Sequence, residues 1–87
     1  MSFNIIWTPV AEKQLKFWYK KDAKKINRIK LLCQSIEFTP TAGIGKPERL
    51  KGFKENVWSR RIDTEHRIVY HIKSNKEIYI IQCMYHY

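Results

Sequence analysis

The apolar residues of this chain change their spacing near its middle, and this change constrains the fold more than any other feature. Ile26, Ile29, Cys33 and Ile36 recur at intervals of three and four residues, which is typical of one face of a helix. From residue 57 onward, three short stretches rich in β-forming residues are separated by turn residues, which is typical of strands. Helices first and strands afterwards indicate an α+β fold.

Local signals place the elements of the first half. Residues 3–7 form a short apolar run, which predicts a strand buried on both faces. Thr8 is a suitable N-cap and Pro9 a suitable first helical residue, so a helix is predicted from there to near Tyr19. Asp22 is placed to cap a second helix, and the two helices are predicted to pack antiparallel on a sheet.

The second half of the sequence contains signals for a loop and then for the remaining strands of the sheet. Residues 38–47 contain two prolines and two glycines, so they are predicted to form a loop that ends at Glu48. Strands are predicted over residues 57–63, 66–73 and 77–85, the last of them central in the sheet because it is apolar on both faces. The predicted fold class is therefore α+β, with two N-terminal helices packed on a small, mostly antiparallel sheet.

Length and composition narrow the class of protein. A chain of 87 residues predicts one domain, spanning residues 1–87. Lys and Arg outnumber Asp and Glu by 17 to 8, and a net charge of +9 favours polyanion binding over a merely soluble basic surface. Cys33 and Cys83 are isolated among apolar neighbours, which predicts reduced core thiols. No secretion signal or membrane-spanning apolar run is visible, so a cytoplasmic location without membrane contact is expected.

One set of residues has the chemistry of phosphodiester cleavage. It combines a carboxylate, an imidazole, a phenol and several cations: Glu48, Lys51, Arg60, Arg61, Arg67, His86 and Tyr87. RNA can cleave itself when its 2′-hydroxyl is deprotonated and attacks the adjacent phosphorus. An enzyme for this reaction needs a base, an acid and positive charge at the phosphate. No metal-ligand cluster, phosphate-cradling loop or nucleophile motif competes with this set, so no metal or cofactor is expected.

The residue types suggest a role for each member. Glu48, flanked by cations that hold it ionised, is the candidate base, and His86 is the natural acid near neutral pH. Arg67 and one of Arg60 and Arg61 can hold the phosphate through paired N–H donors. Consecutive residues of a strand point to opposite faces, so at most one of these two neighbours faces the site.

Several candidates also have an interpretation without catalysis. Glu48 is one of eight acidic residues and can be a plain surface carboxylate. The neighbouring arginine that turns away from the site is expected to pair with Asp63 or Glu65. His66 is expected to be a turn and surface residue. Tyr87 can donate to the phosphate or stack on a base.

Four segments together resemble a known family. They are residues 45–51 (GKPERLK), 58–62 (WSRRI), 65–70 (EHRIVY) and 83–87 (CMYHY). In this order they strongly resemble the YoeB/Txe toxins, which belong to the RelE/ParE superfamily of bacterial toxin–antitoxin systems. The resemblance covers nearly the whole chain, and ordered motifs are far more specific than any single one.

The resemblance implies a microbial-ribonuclease-like, RelE-like fold and an mRNA interferase, an mRNA endonuclease that acts in the ribosomal A site and stops translation. It also implies a cognate antitoxin of the YefM/Axe type and often a toxin homodimer. Lys51 and Arg61 match supporting positions of the family. The family roles of general base, general acid, phosphate stabiliser and further catalytic contributor fall, in that order, on Glu48, His86, Arg67 and Tyr87.

One position departs from the family, and two other classes of function stay open. Members commonly carry Arg or Lys directly after the cysteine of the last strand, where this chain has Met84. The first alternative is a non-catalytic ParE-like toxin, which would produce gyrase-linked DNA breaks and leave mRNA intact. The second is a basic RNA-binding module, which would show salt-sensitive RNA affinity without cleavage.

Overall fold

A computed structural model describes residues 2–85, which form two helices and a five-stranded sheet. The elements are β1 (Asn4–Trp7), α1 (Pro9–Lys21), α2 (Ala23–Phe38), β2 (Glu48–Arg49), β3 (Val57–Arg61), β4 (Arg67–Ile72) and β5 (Glu77–Gln82). The strand order is β1-β5-β4-β3-β2. The pair β1 and β5 is parallel and the other neighbouring pairs are antiparallel. The predicted α+β fold, two helices on a mostly antiparallel sheet, is confirmed.

Both helices begin at the predicted caps. Thr8 Oγ1 accepts a hydrogen bond from the Ala11 N–H at 3.4 Å, and a proline follows as the first helical residue. Asp22 Oδ1 accepts from the Lys24 N–H at 3.1 Å and so starts α2. The first helix continues slightly beyond its predicted end, to Lys21, because the cap of the second helix is also what ends the first.

The core lies between the helices and one face of the sheet. Ile29, Leu32 and Ile36 of α2 are buried in one cluster with Ile68 and Tyr70 of β4. Burying each such aliphatic side chain contributes about 1.5–3 kcal/mol. The apolar spacing that predicts α2 therefore also decides which of its faces meets the sheet.

Of two predictions about individual strands of the sheet, one is confirmed and one is wrong. β5 lies between β1 and β4, so its predicted place inside the sheet is confirmed. The predicted burial of residues 3–7 on both faces is wrong, because Asn4 is exposed and Ile5, Ile6 and Trp7 are only half-buried. β1 is an edge strand, and an edge leaves one side of a strand unpaired even when its sequence is apolar.

The helices cover one face of the sheet, and the opposite face, termed the open face, carries the candidate site. Ile68 and Tyr70 point to the helices, so alternation puts Arg67 and Val69 on the open face. Residues paired across strands share a face, which adds Arg61 opposite Arg67 and Ser59 opposite Val69. Glu48 pairs with Ser59 and therefore lies on the same side.

The two cysteines are free thiols, as predicted. Burial raises the pKa of Cys33 and of Cys83 to about 12, so both stay protonated near neutral pH. A protonated thiol is a weak nucleophile, so neither side chain is a candidate for covalent catalysis.

Candidate functional site

The loop that leads to Glu48 is organised by one buried guanidinium. Arg60 of β3 is fully buried, with 0% of its surface exposed, and pairs with Ile68 on the helix side of the sheet. Its N–H groups donate five hydrogen bonds to two hydroxyls and three loop carbonyls, those of Tyr70, Ser35, Thr39, Ala42 and Ile44. One side chain therefore ties the loop to both α2 and the sheet.

This placement corrects two predictions about the neighbouring arginines. Arg60 does not lie on the open face, so it is absent from the surface on which a substrate-binding role was predicted for it. Arg61 is the one that faces it. The expected pairing of the inward arginine with Asp63 or Glu65 is also wrong. A guanidinium has five N–H donors in a planar fork and binds several loop carbonyls at once, which a single carboxylate contact would not do.

Gly45 fixes the path of the same loop. It has a φ of +82°, and a Cβ at this position would lie 2.6 Å from Leu32 Cδ2, so glycine is required here. Its carbonyl accepts a hydrogen bond from the Arg61 N–H at 2.7 Å, which attaches the loop to the end of β3. The chain then turns into β2, where Glu48 pairs with Ser59.

Glu48 stands exposed at the start of β2. Leu50 anchors this short strand, because it is buried against Val57 and Val69 and donates its N–H to the Val57 carbonyl at 2.9 Å. Within residues 2–85 the Glu48 side chain makes no hydrogen bond or ion pair, so its carboxylate is open to a ligand. Lys51 follows in an exposed turn.

Arg61 and Arg67 lie directly opposite each other on β3 and β4. Such positions have Cβ atoms about 4.5–5.5 Å apart, and like charges there repel. Arg67 Nη1 donates to the Asp63 and His66 carbonyls at 2.9 and 3.2 Å, which holds that guanidinium in place. Among the described residues neither guanidinium has a carboxylate partner. Two adjacent unpaired cations have the charge and donor geometry that bind a phosphate.

Glu48 lies diagonally across from this arginine pair. Its direct partner is Ser59, and Arg61 is the next residue of β3 on the same face. Diagonal neighbours of this kind are about 7–8 Å apart. One carboxylate and two guanidiniums therefore lie near one another on the open face.

The turn before β4 is held by Asp63. Its carboxylate accepts from the Glu65 and His66 N–H groups at 2.8 and 2.6 Å and from Lys25 Nζ of α2. Burial raises the pKa of Asp63, but the hydrogen bonds from Lys25 and from the two N–H groups outweigh it and lower the pKa to about 2. The turn is thereby fixed with two of its carbonyls directed at Arg67.

The chain after β5 is held largely by side chains. The strand predicted to reach residue 85 ends at Gln82. Beyond it, the Cys83 N–H donates to Gln14 Oε1 at 2.8 Å and the Cys83 carbonyl accepts from Trp18 Nε1 at 2.9 Å. Tyr85 has a φ of +62°, so the strand alternation is broken before this residue. Side chains of α1 thus take over the role that a neighbouring strand would have.

His66 is buried, with 7% of its surface exposed, so the predicted surface position is wrong. Its Nδ1 accepts a hydrogen bond from the Tyr85 N–H at 2.8 Å, and its ring packs edge-on against Trp18 with centroids 4.8 Å apart. The predicted acid His86 and its neighbour Tyr87 follow Tyr85 directly and lie outside the described residues. Their roles stay predictions.

Comparison with known proteins decides the family. The sequence model of the protein family described as "YoeB-like toxin of bacterial type II toxin-antitoxin system" matches residues 7–87 of the chain. The chain belongs to the YoeB toxin family. It is therefore a toxin of a type II toxin–antitoxin system, and the resemblance drawn from the four sequence segments is confirmed.

Individual YoeB toxins agree with this assignment. The chain is 46% identical over 84 residues to Toxin YoeB of Synechocystis sp., a match that covers 97% of this chain and 96% of the relative. It is similar to the YoeB dimer from Staphylococcus aureus, with 38% identity, a TM-score of 0.88 and 98% of both chains covered. It is also similar to a chain of the heterotetrameric YoeB–YefM complex from that organism, with 40% identity, a TM-score of 0.85 and the same coverage.

Sequence reasoning missed the residues that hold residues 83–85 of this YoeB-family toxin. Gln14, Trp18 and His66 are far from Tyr85 in sequence, and their contacts depend on how α1 packs beside β5. One signal was available. Gln14 and Trp18 are four residues apart and share a face of α1, so a polar residue lies beside the predicted apolar stripe and needs a partner there.

Three further structural features of this YoeB-family toxin concern metal binding, membrane insertion and the packing of one side chain. Within residues 2–85, no group of three or more His, Cys, Asp or Glu side chains is arranged to hold a metal ion. In the same range, none of the helices is long and apolar enough to cross a membrane. Met84, which directly follows the buried Cys83, packs half-buried against the core.

The pKa of Asp63 gives this YoeB-family toxin a defined acid sensitivity. A carboxyl with a pKa of about 2 when folded and 3.8 when unfolded stabilises the fold above pH 3.8, and this contribution is lost as the pH falls through about 2. Asp63→Asn should lower the melting temperature near neutral pH. The melting temperature of this variant should also decrease less than that of wild type as the pH is lowered from 3.8 to about 2. Thermal denaturation across this range, with the exposed Glu55→Gln as control, checks both effects. An unchanged acid profile in Asp63→Asn would contradict the assignment.

Proposed function

We propose that this toxin is an mRNA interferase, a ribosome-dependent endoribonuclease that cuts mRNA in the ribosomal A site and inhibits translation. The observation that carries the proposal is the placement of Glu48 beside the Arg61–Arg67 pair on the open face. A candidate base next to two adjacent cations supplies most of what RNA needs in order to be cleaved by its own 2′-hydroxyl.

In the proposed reaction Glu48 takes the proton of the 2′-hydroxyl, and that oxygen attacks the adjacent phosphorus. The bond from phosphorus to the 5′-oxygen breaks as His86 gives its proton to the leaving oxygen. The products are a 2′,3′-cyclic phosphate and a 5′-hydroxyl, and hydrolysis of the cyclic phosphate gives a 3′-phosphate. Arg67, with Arg61 opposite it, offsets the negative charge that builds on the phosphate in the transition state.

Two further residues complete the proposed site. Lys51 lies in the exposed turn just after β2 and contacts a neighbouring backbone phosphate of the bound RNA. Tyr87 donates to the scissile phosphate or stacks on a base. Every proton in the reaction is carried by side chains of this chain, so the proposal invokes no metal and no cofactor.

The partners of the toxin follow from its charge and from its relatives. The similar S. aureus YoeB is found as a dimer and in a heterotetramer with YefM. On this basis the proposed partners are a YefM/Axe-like antitoxin and a second copy of the toxin, beside mRNA and ribosomal RNA in the cytoplasm. A net charge of +9 favours an antitoxin with an acidic segment that covers the open face.

The cation pair should also leave a signature in RNA binding. In a Glu48→Gln background, which keeps the RNA intact, Arg61→Gln should make the dependence of log affinity on log salt shallower by about 0.7, the value of one lost single-strand phosphate contact. Arg49→Gln is the matched control, since Arg49 neighbours Glu48 but pairs with Trp58, a residue that packs on the helix side. Equal slopes for the two variants would remove Arg61 from the phosphate site.

The test of the proposed function is primer extension on a defined mRNA in a translating extract. Wild type is compared with His86→Ala, and a ribosome-free reaction serves as control. Discrete cuts that need both ribosomes and His86 are expected. Intact mRNA with wild-type toxin would refute the interferase, and gyrase-linked DNA breaks in cells that express the toxin would favour a ParE-like activity instead.

A further inference from the structure

Tyr85, the residue just before His86, is held at its N–H and at its carbonyl by two consecutive residues, His66 and Arg67, where the chain enters β4. The Tyr85 N–H donates to His66 Nδ1 at 2.8 Å, and the Tyr85 carbonyl accepts from the Arg67 N–H at 3.1 Å. Tyr85 adopts a φ of +62°, which is uncommon for a residue with a side chain and persists only where surrounding contacts enforce it. Two hydrogen bonds to consecutive residues are such contacts.

We propose that His66 is a positioning residue of the active site, which holds Tyr85, the residue before His86, through a neutral imidazole that accepts at Nδ1. The inference rests on the proposed function, in which His86, bonded directly to Tyr85, is the general acid. His66 does not touch the substrate in this proposal. It fixes Tyr85, the residue to which the proposed acid is bonded.

The surroundings of the ring fix its orientation. His66 packs edge-on against Trp18, with centroids 4.8 Å apart at 74°, and its ring lies 5.6 Å from that of Tyr85. Trp18 is itself held by its bond to the Cys83 carbonyl at 2.9 Å. With Nδ1 used as an acceptor, the proton of the neutral ring is on Nε2, which lies 3.5 Å from Glu65 Oε1. The ring is therefore oriented on three sides.

The same short segment also carries the proposed phosphate ligand. His66 holds the Tyr85 N–H, and the next residue, Arg67, both binds the Tyr85 carbonyl and presents its guanidinium to the open face. The His66 carbonyl in turn accepts from Arg67 Nη1 at 3.2 Å. One turn therefore holds both Tyr85, which precedes the proposed acid, and the proposed phosphate ligand Arg67, and loss of the His66 contact should release Tyr85 from that turn.

Two substitutions distinguish the loss of the hydrogen-bond acceptor from the loss of the ring's volume. In His66→Asn the side-chain oxygen is bonded to Cγ, as Nδ1 is, so an acceptor remains at nearly the same place. His66→Leu keeps an apolar side chain against Trp18 and removes the acceptor. If Tyr85 is no longer held in place, kcat for ribosome-bound mRNA should decrease by a factor on the order of 10² in His66→Leu, with KM little changed. In His66→Asn most of the wild-type kcat should remain.

A second readout does not depend on cleavage. Hydrogen exchange of the Tyr85 amide, followed by NMR, should be slow in wild type and in His66→Asn and fast in His66→Leu. The ¹⁵N shift of Nδ1 in wild-type His66 should be that of an unprotonated acceptor, and this measurement needs no variant to fold. A protonated Nδ1, or equal Tyr85 protection in all three proteins, would overturn the proposal.

The two readouts also separate this proposal from the proposed function. Wild-type cleavage with an unchanged kcat in a folded His66→Leu variant would overturn the positioning role and leave the interferase intact. Absence of cleavage by wild type would overturn the interferase and with it the catalytic part of the inference. The amide exchange would then still decide whether His66 holds Tyr85.

Discussion

Glu48→Gln should lower the rate of mRNA cleavage by a factor on the order of 10²–10⁴, the usual cost of losing a general base. Glutamine keeps the size of the side chain and removes its ability to take a proton. The Glu48 side chain is exposed and makes no hydrogen bond or ion pair within residues 2–85, so the melting temperature should not change. Single-turnover cleavage of ribosome-bound mRNA measures the chemical step directly.

The chain offers a matched control for that experiment. Glu55 is an exposed carboxylate in the loop that leads into β3, close in sequence to the site but outside it. Glu55→Gln removes the same charge from the protein and should cleave at the wild-type rate. Full-rate cleavage by Glu48→Gln would remove the base from the mechanism, and an equal loss in both variants would show that net charge alone was being measured.

Arg60→Met should destabilise the fold by about 3 kcal/mol or more, because three carbonyl acceptors lose their donor and each such loss costs about 1–3 kcal/mol. The substitution leaves the partly buried carbonyls of Thr39, Ala42 and Ile44 without the donor that they share. Small domains have only about 5–15 kcal/mol of stability in total, so much of it would be lost. Equilibrium unfolding in urea measures the change.

The neighbouring arginine is the control. Arg61 is exposed on the open face, and Arg61→Met should change the free energy of unfolding by no more than about 0.5 kcal/mol, as is usual for surface positions. Arg60→Lys should not rescue stability, because an ammonium has three donors where Arg60 uses its planar fork for five bonds. Equal stability of the two methionine variants would contradict the structural role given to Arg60.

Local sequence signals were sufficient for much of the fold and for part of the site. The caps Thr8 and Asp22 and the helical spacing from Ile26 to Ile36 depend on neighbouring residues only, so the helices could be predicted. Alternation along a single strand is enough to put Arg67 and the helix-facing Tyr70 on different faces of β4, and the structure has this arrangement. These features need no knowledge of distant contacts.

Two features could not be predicted because they depend on residues far apart in the chain. In β3 the polar residues Ser59, Arg60 and Arg61 occupy both faces, so alternation does not say which arginine is buried, and the partners of Arg60 lie in a loop with no recognisable pattern. An apolar run such as β1 also does not distinguish an interior strand from an edge. Pairing order decides that, and it is set by the whole sheet.

The most direct test of the central claim replaces the attacking group of the substrate. An mRNA with a single 2′-deoxynucleotide on the 5′ side of a mapped cut is programmed into ribosomes and treated with wild-type toxin. Attack by the 2′-hydroxyl predicts no cut at that bond, while the all-ribose mRNA is cut there and leaves a 5′-hydroxyl. Cleavage of the deoxy-substituted bond at the all-ribose rate would contradict the proposed chemistry.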